Sequence, residues 1–236
     1  MECVLKATDL TKRYHGKPAL DGLNLELPQG KIIGLLGPNG SGKTTFIKLA
    51  AGLLTPTAGS ITIGGQRVGT ATKAMVSYLP DRPYFSKSMK VKEQLDFFRD
   101  FYADFDRPRA ERMLSALGIS PEAKFRSLSK GNQEKVQLVL VMSRRAKLYL
   151  LDEPIGGVDP AARDYILNTI ITNYDPDATV LISTHLIADV ERVLDEFLFL
   201  HEGKIVRSGN ADEVREETGK SLDGLFREVF QCLPNC

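Results

Sequence analysis

The stretch Gly37–Thr45 constrains this chain more than any other, because it joins the pattern of a strand to the pattern of a helix. It reads GPNGSGKTT and fits the motif G-x-x-x-x-G-K-[ST]. The apolar run Ile32–Leu36 before it is typical of a buried strand, and Phe46–Gly52 after it is typical of a helix that ends on a glycine. This context predicts a phosphate-binding loop rather than a chance turn.

The residue types of this loop each have a chemical reason. Glycines let the backbone curl so that several N–H groups point at one anion, and the helix start adds partial positive charge. The Lys43 ammonium can bridge the β- and γ-phosphates of a nucleotide, and the Thr44 hydroxyl can bind Mg²⁺. We therefore expect nucleotide contacts from Gly37, Asn39, Gly40, Ser41, Gly42, Lys43, Thr44 and Thr45.

Composition narrows the class of protein. With 236 residues, 42% of them hydrophobic, the chain can form one large α/β domain or two small ones. Lys and Arg number 31 against 30 for Asp and Glu, so global charge gives no argument for a nucleic-acid partner. No apolar run reaches the roughly 18–20 residues that span a bilayer, and the start does not resemble a signal peptide. We expect a cytoplasmic protein, and the three cysteines, Cys3, Cys232 and Cys236, suit a reducing compartment.

Apolar strands alternating with helices predict a mostly parallel, buried sheet. Its strands are expected at residues 32–36, 75–79, 148–152 and 179–183, followed by a hairpin at 197–206 and a helical tail at 211–230. Two β-like runs, Val4–Thr11 and Leu20–Leu27, predict a small antiparallel β subdomain before them. Helices are expected at Val91–Phe105, Arg109–Leu117 and Gly131–Arg145.

The fold class expected from this pattern is α/β: a P-loop NTPase core with an N-terminal β subdomain and an inserted helical subdomain. We place residues 1–236 in a single domain. Residues 1–80 and 146–236 form the nucleotide-binding core with its β subdomain, and residues 81–145 form the helical subdomain.

Two carboxylates close the strand Leu148–Asp152. Asp152 ends a strand that would lie beside the phosphate loop, where it can hold Mg²⁺ directly or through water. Glu153 follows and can polarise an attacking water as a general base. An acidic strand end is common in α/β folds, but the pair together with Lys43 and Thr44 favours a hydrolytic site.

A third stretch, Leu128–Gln133, stands at the start of a helix. Taken alone, Ser129 is best interpreted as the residue that caps this helix. A hydroxyl beside the free N–H groups of a helix start is also an anion site, and the other two stretches favour that second interpretation.

Together these stretches resemble the ATP-binding subunit of an ABC transporter over essentially the whole chain. The resemblance implies that Leu128–Asn132 is the signature, with Ser129 and Gly131 touching phosphate, and that Leu148–Asp152 is the Walker B strand followed by Glu153 as the catalytic glutamate. It places the D-loop, with Asp159, at residues 157–159, and makes His185 the switch histidine that senses the γ-phosphate. Tyr14 matches the aromatic residue that stacks on adenine, and the implied cofactors are ATP and Mg²⁺.

Two motifs depart from the family pattern. Asp81 stands where the family has the glutamine of its Q-loop; an aspartate can approach Mg²⁺ but brings negative charge near a triphosphate. In the signature, Lys130 replaces the first glycine and Asn132 the glutamine. Lys130 adds a positive charge beside this anion site, so we expect the signature to remain functional.

The resemblance also implies partners. Two nucleotide-binding subunits, identical or related, would enclose two ATP molecules, with Ser129 and Gly131 serving the nucleotide of the other chain. A separate transmembrane permease would hold the subunit at the inner face of the cell membrane. Arg82–Phe85 with Phe97, Phe98 and Phe101 is a candidate groove for it, although a plain helical core explains much of this stripe.

The subunits of exporters linked to antibiotic or peptide efflux are the nearest in form, and no nucleic-acid partner is expected. Two alternatives stay open at this stage. One is a soluble, non-transport ABC ATPase acting on ribosomes or nucleic acid. The other is a regulatory module without turnover, against which Glu153 and His185 argue.

Overall fold

Two β-sheets organise the chain in a computed structural model that describes residues 2–86 and 88–231. The strands are β1 (Cys3–Tyr14), β2 (Lys17–Pro28), β3 (Ile32–Leu36), β4 (Ala58–Ile63), β5 (Gln66–Arg67), β6 (Val76–Leu79), β7 (Leu148–Asp152), β8 (Thr179–Thr184), β9 (Glu196–His201) and β10 (Lys204–Asn210). The helices are α1 (Lys43–Ala50), α2 (Thr70–Met75), α3 (Val91–Phe101), α4 (Arg107–Ala116), α5 (Lys130–Met142), α6 (Pro160–Asn173), α7 (Ile187–Val190), α8 (Ala211–Thr218) and α9 (Leu222–Gln231).

The larger sheet forms the centre of the core. Within the described residues its order is β10-β9-β3-β8-β7-β6, and all neighbours are parallel except β10, which pairs antiparallel with β9. Every residue of β3, β7 and β8 is buried, because helices cover both faces of these apolar strands. The predicted mostly parallel, buried sheet is confirmed.

The smaller sheet is antiparallel, with the order β2-β1-β4-β5. Along β2 the residues Leu23, Leu25 and Leu27 are buried while their neighbours face outward, as expected for a sheet with one covered face. These leucines pack in one apolar cluster with Phe46 and Ile47 of α1. The predicted N-terminal β subdomain is thus confirmed, and it rests against the helix that follows the phosphate loop.

The helical segment between β6 and β7 has its own apolar core. Val91, Leu95, Leu114, Phe125 and Val136 share one buried cluster that is separate from the two clusters of the sheets. This separation is consistent with a helical subdomain, and its proposed limits at residues 81 and 145 stay a prediction.

Helix α3 ends at Phe101, four residues before the predicted end at Phe105. The side chains beyond it are held by other partners. Asp104 accepts hydrogen bonds from the buried Arg144 guanidinium at 3.0 and 3.1 Å. Asp106 caps α4 by accepting from the Arg109 N–H at 3.0 Å.

One other prediction of secondary structure was wrong in detail, and one helix was not predicted. The tail forms two helices instead of one, because Gly219 ends α8 in the left-handed region at φ 64°. Helix α2, six residues long, was not predicted, since it is too short for a periodic apolar pattern. Cys232 and Cys236 lie outside the described residues. None of the helices within residues 2–86 and 88–231 is long and apolar enough to span a membrane.

Candidate functional site

The phosphate loop connects the end of β3 to the start of α1 and packs tightly against neighbouring backbone. A Cβ atom on Gly37 would lie 2.3 Å from the Leu200 carbonyl oxygen, so no other residue fits there. Gly42 precedes α1 at φ 111°, and its Cβ would lie 2.5 Å from the Ala19 carbonyl oxygen. Both glycines therefore let the loop backbone approach the neighbouring backbone closely.

Lys43 lies at the mouth of this loop. Its ammonium donates hydrogen bonds to the carbonyl oxygens of Gly37 at 2.7 Å and Pro38 at 3.0 Å, and it lies 3.7 Å from Glu153 Oε1. Burial lowers the pKa of Lys43, and the nearby carboxylates of Glu153 and Asp152 partly offset that effect. The loop thus holds a desolvated cation where a bound phosphate would meet it.

Asp152 ends β7 beside the loop, and its two carboxylate oxygens differ. Oδ1 accepts hydrogen bonds from Ser183 Oγ at 2.7 Å and from Thr44 Oγ1 at 3.1 Å. Oδ2 is buried and has no hydrogen-bond partner among the described residues. Burial raises the pKa of Asp152, although both hydroxyls counteract this. An oxygen buried without a partner fits a bound cation, which would satisfy it.

Glu153 follows with an unusual backbone. Its φ is 51°, in the left-handed region that few residues other than glycine adopt. Its N–H donates to the Ser183 carbonyl at 2.9 Å, and Oε2 accepts from Thr184 Oγ1 at 3.0 Å. His185 Nδ1 lies 3.1 Å from both carboxylate oxygens. The bend at Glu153 therefore turns its carboxylate toward Lys43 and His185 instead of continuing the strand.

These residues surround a cavity of about 480 Å³, within the range of roughly 300–1,000 Å³ that small-molecule sites occupy. The phosphate loop contributes Asn39, Gly40, Gly42, Lys43, Thr44 and Thr45 to its lining. Asp81, Glu153 and His185 line it from the ends of β6, β7 and β8. The carboxyl ends of parallel strands meet at this edge of the sheet, which is where open α/β folds bind ligands.

Two predicted loop residues lie beneath the cavity rather than on its wall. Gly37 contributes the carbonyl oxygen that holds Lys43. Ser41 is buried, and its hydroxyl has no hydrogen-bond partner among the residues that the structure describes. Their N–H groups belong to the loop, but neither residue is part of the lining.

The buried Asp152 is not part of the cavity lining, and four further predicted residues also lie outside it. Tyr14 is 43% exposed at the end of β1, on the hairpin whose Ala19 reaches the cavity, and the Lys12 ammonium lies 5.5 Å from its ring centroid. Ser129 caps α5 by accepting from the Asn132 N–H at 3.3 Å, and the space beside Gly131 is open. Asp159 is exposed beyond the D-loop glycine Gly157. Their roles stay predictions.

Lys130 is the unexpected member of the site. The resemblance implies that the signature serves the nucleotide of a second chain, and that role stays a prediction. In the structure, however, the Lys130 side chain lines the same cavity as Lys43 of its own chain, and its ammonium lies 3.4 Å from the Gly157 carbonyl oxygen. Sequence spacing did not reveal this contact, because it depends on how α5 packs against the loop after β7.

The residues near Asp152 fit Mg²⁺ only together with a nucleotide. Over residues 2–86 and 88–231, no group of three His, Cys, Asp or Glu side chains forms a metal cage. Mg²⁺ in phosphate sites takes one or two protein oxygens and completes its shell with phosphate and water. Thr44 and Asp152 offer such a partial set, and Asp81 lies on the wall of the same cavity.

Two hydroxyl residues of the site, Ser183 and Thr184, were not predicted as functional. Ser183 bonds Asp152 and Thr184 bonds Glu153. A signal for them was present, because the strand ending at Asp152 and the strand before His185 are both apolar and parallel. In the observed register Ser183 lies opposite Asp152.

Replacing Asp152 with asparagine is expected to stabilise the protein without nucleotide while removing its response to Mg²⁺. The substitution removes a buried charge whose desolvation destabilises the fold, so we expect the melting temperature to rise by about 2–4 °C near pH 7.5. The pKa of Asp152 is raised in the folded state, so its ionisation destabilises the fold above that raised pKa. The gain should vanish below the ordinary value of 3.8, where both states are protonated.

Differential scanning fluorimetry across this pH range, with and without Mg²⁺ and nucleotide, measures the effect. Asp177→Asn is a matched control, since Asp177 is exposed in the turn before β8. A variant that is less stable than the wild type at pH 7.5 would contradict the interpretation that the buried charge of Asp152 destabilises the fold.

A family profile and many known proteins are similar to this chain. The profile of the family described as ABC transporter matches residues 20–156. The ABC-type transporter ATP-binding protein EcsA of Bacillus subtilis (strain 168) is 30% identical over 237 residues, which cover 96% of this chain and 96% of that protein. The bacitracin transport ATP-binding protein BcrA of Bacillus licheniformis is 28% identical over 229 residues, covering 94% of this chain and 75% of that protein.

One similar solved structure is described as that of the ATP binding subunit of an ABC transporter. It has a TM-score of 0.84 at 30% sequence identity and covers 96% of this chain and 99% of its own. The similarity therefore extends over both sheets and over the helical segment between β6 and β7.

Proposed function

Because this chain belongs to the ATP-binding subunits of ABC transporters, we propose that ATP binds in the cavity at the phosphate loop and is hydrolysed there with Glu153 as general base. As a member of this family, the chain is an ATPase that serves transport. The position of Glu153 carries the assignment of the catalytic residue, since its carboxylate lies within 3.7 Å of Lys43 and 3.1 Å of His185 in one cavity.

The geometry supports a separate role for each polar group. Lys43 would leave the carbonyl oxygens of Gly37 and Pro38 to bind the β- and γ-phosphates. Thr44 and Asp152 would hold Mg²⁺, which neutralises phosphate charge when bound. Glu153 would take the proton of the attacking water, and His185 would orient that water and the γ-phosphate. Thr184 keeps the carboxylate of Glu153 in place through its hydrogen bond.

We propose a second copy or a related subunit as the first partner. Tyr14 would stack on the adenine of the chain's own nucleotide, and its exposed ring is free to do so. Ser129 and Gly131 lie at the start of α5 outside the cavity lining, which supports their use on the nucleotide of the partner. Asp159, near the same surface, would meet the partner as well. ATP would then hold the pair closed and hydrolysis would release it.

A membrane permease is the proposed second partner, held at the inner face of the cell membrane. A second cavity has a volume of about 540 Å³. Its lining includes the aromatic side chains of Tyr78, Tyr84, Phe98 and Tyr102 and the basic side chain of Arg82. This aromatic surface next to Asp81 supports the proposal that a segment of the permease docks there. Phe97 and Phe101, which were expected in this groove, lie outside its lining and stack on each other, with ring centroids 4.4 Å apart.

The descriptions of two relatives support a direction of transport. One similar protein is described as serving bacitracin transport and another as conferring daunorubicin resistance, at 28% and 29% identity. We propose export on that basis, and the substrate pocket would lie in the permease.

The experiment that tests this function is ATP hydrolysis by the purified chain, alone and with co-purified membrane protein, with Mg²⁺ or with EDTA. We expect turnover that depends on Mg²⁺ and recovery of the chain from the membrane fraction in complex with a permease. Recovery on ribosomes instead, without membrane protein, would point to the alternative of a non-transport ATPase. An absence of turnover in all fractions would contradict the proposal.

A further inference from the structure

Asp81 and Lys130, two of the three residues that depart from the family pattern, line the same cavity. Asp81 lies at the end of β6 and Lys130 at the start of α5, far apart along the chain, and both belong to the wall around the phosphate loop. One introduces a negative charge where the family has an amide, and the other a positive charge where the family has a glycine.

Lys130 has only loose partners in the structure. Its ammonium lies 3.4 Å from the Gly157 carbonyl oxygen and 3.7 Å from Glu134 Oε1, and its side chain is 73% exposed. The contact with Gly157 is close enough that a Cβ there would lie 2.7 Å from the ammonium. A charge held this loosely and facing the cavity is available to a ligand in it.

Asp81 has no ion pair or hydrogen bond through its carboxylate among residues 2–86 and 88–231. Its field nevertheless reaches both sides of the cavity. It contributes to raising the pKa of Asp152, after burial, and that of Glu134, the partner of Lys130, again after burial. Asp81 therefore places a carboxylate on the cavity wall between Asp152 and the start of α5.

Apart from His185, the acidic and basic side chains that line the cavity are Lys43, Lys130, Asp81 and Glu153. If both positions carried neutral residues, as in the family, the net charge of the cavity lining would be the same as it is with Asp81 and Lys130. Removing one member alone changes that sum by one unit next to a ligand that carries several negative charges.

We propose that Asp81 and Lys130 form a charge-matched pair that sets the affinity of the chain's own cavity for the triphosphate: Lys130 attracts it, and Asp81 offsets that attraction. This inference rests on the proposed function, because it assumes a nucleotide in the cavity. It assigns Lys130 to the nucleotide of its own chain, whereas Ser129 and Gly131 are assigned to that of the partner.

The test is equilibrium binding of ATP to D81N, K130Q and the double variant, without Mg²⁺ and at protein concentrations where the chain is a monomer. We expect K130Q to weaken binding by about three- to tenfold and D81N to strengthen it by a similar factor, with the double variant within about twofold of the wild type. The effects should decrease from ATP to ADP to AMP, vanish for adenosine, and shrink in high salt, because they are electrostatic.

Matched controls use charges of the same segment that do not line the cavity. Lys124→Gln and Asp100→Asn remove exposed charges from the helical segment and should leave binding unchanged, and K130R should bind like the wild type. Wild-type protein that binds no ATP would refute the proposed function itself. Wild-type binding with no change in either single variant, changes of the same sign, or equal effects on adenosine would overturn the charge pair alone. An effect of K130Q seen only in the dimer would overturn the assignment to the chain's own site.

Discussion

Replacing Glu153 with glutamine is expected to lower the rate of ATP hydrolysis by about 10²–10⁴-fold while ATP binding stays within a few-fold of the wild type. The amide cannot take a proton from the attacking water. It retains an oxygen that accepts from the Thr184 hydroxyl, which now bonds the carboxylate at 3.0 Å. It also has the same shape, so the left-handed backbone at this position, φ 51°, meets no new strain. Removing a negative charge 3.7 Å from Lys43 favours the bound phosphates further.

The matched control for this variant is Glu202→Gln. Glu202 also has a left-handed backbone, at φ 45°, but it is exposed in the turn between β9 and β10 and does not line the cavity. Its variant should hydrolyse ATP at the rate of the wild type. We further expect Glu153→Gln to accumulate as a dimer in MgATP, since ATP that is not hydrolysed continues to hold two chains together. Size-exclusion chromatography with scattering detection measures this state.

Replacing Lys43 with alanine is expected to weaken ATP binding by about 10- to 100-fold, the range for a lost charge-assisted hydrogen bond, and to abolish measurable turnover. The ammonium is the buried cation of the phosphate loop and lies among Glu153 and Asp152. Without it, two carboxylates face the triphosphate with no opposing charge from the loop. The pKa of Asp152, already raised by burial, should rise further.

Lys48→Ala is the control for this second variant, because Lys48 lies in the last turn of the same helix and lines the other cavity. Isothermal titration calorimetry on the isolated chain compares the two. Equal ATP affinity of Lys43→Ala and the wild type would show that the ligand does not bind at the phosphate loop. The melting temperature without nucleotide should be recorded in parallel, since a fold that is lost would produce no cooperative transition.

The features that sequence alone predicted are those that depend on short stretches. The phosphate loop, the buried strands β3, β7 and β8, and the acidic pair after β7 each follow from residues within a few positions of one another. Their positions relative to one another are also predictable, because parallel strands bring their carboxyl ends to one edge of the sheet. Lys43, Asp152, Glu153 and His185 therefore lie together as the sequence suggested.

The features that sequence missed depend on tertiary packing. The early end of α3 results from Arg144, far along the chain, which holds Asp104. The contribution of Ser183 follows from the register between β7 and β8, and that of Lys130 from the position of α5 above the loop after β7. Spacing along the chain carries no information on such distances.

The measurement that tests the hydrolytic site most directly is single-turnover hydrolysis of ATP by wild-type protein and Glu153→Gln, with binding recorded in the same samples. We expect equal occupancy, release of phosphate by the wild type in the presence of Mg²⁺, and intact bound ATP in the variant. Phosphate released by Glu153→Gln at the wild-type rate would contradict the assignment of Glu153 as the base. Failure of the wild type to bind ATP would contradict the cavity at the phosphate loop as the nucleotide site.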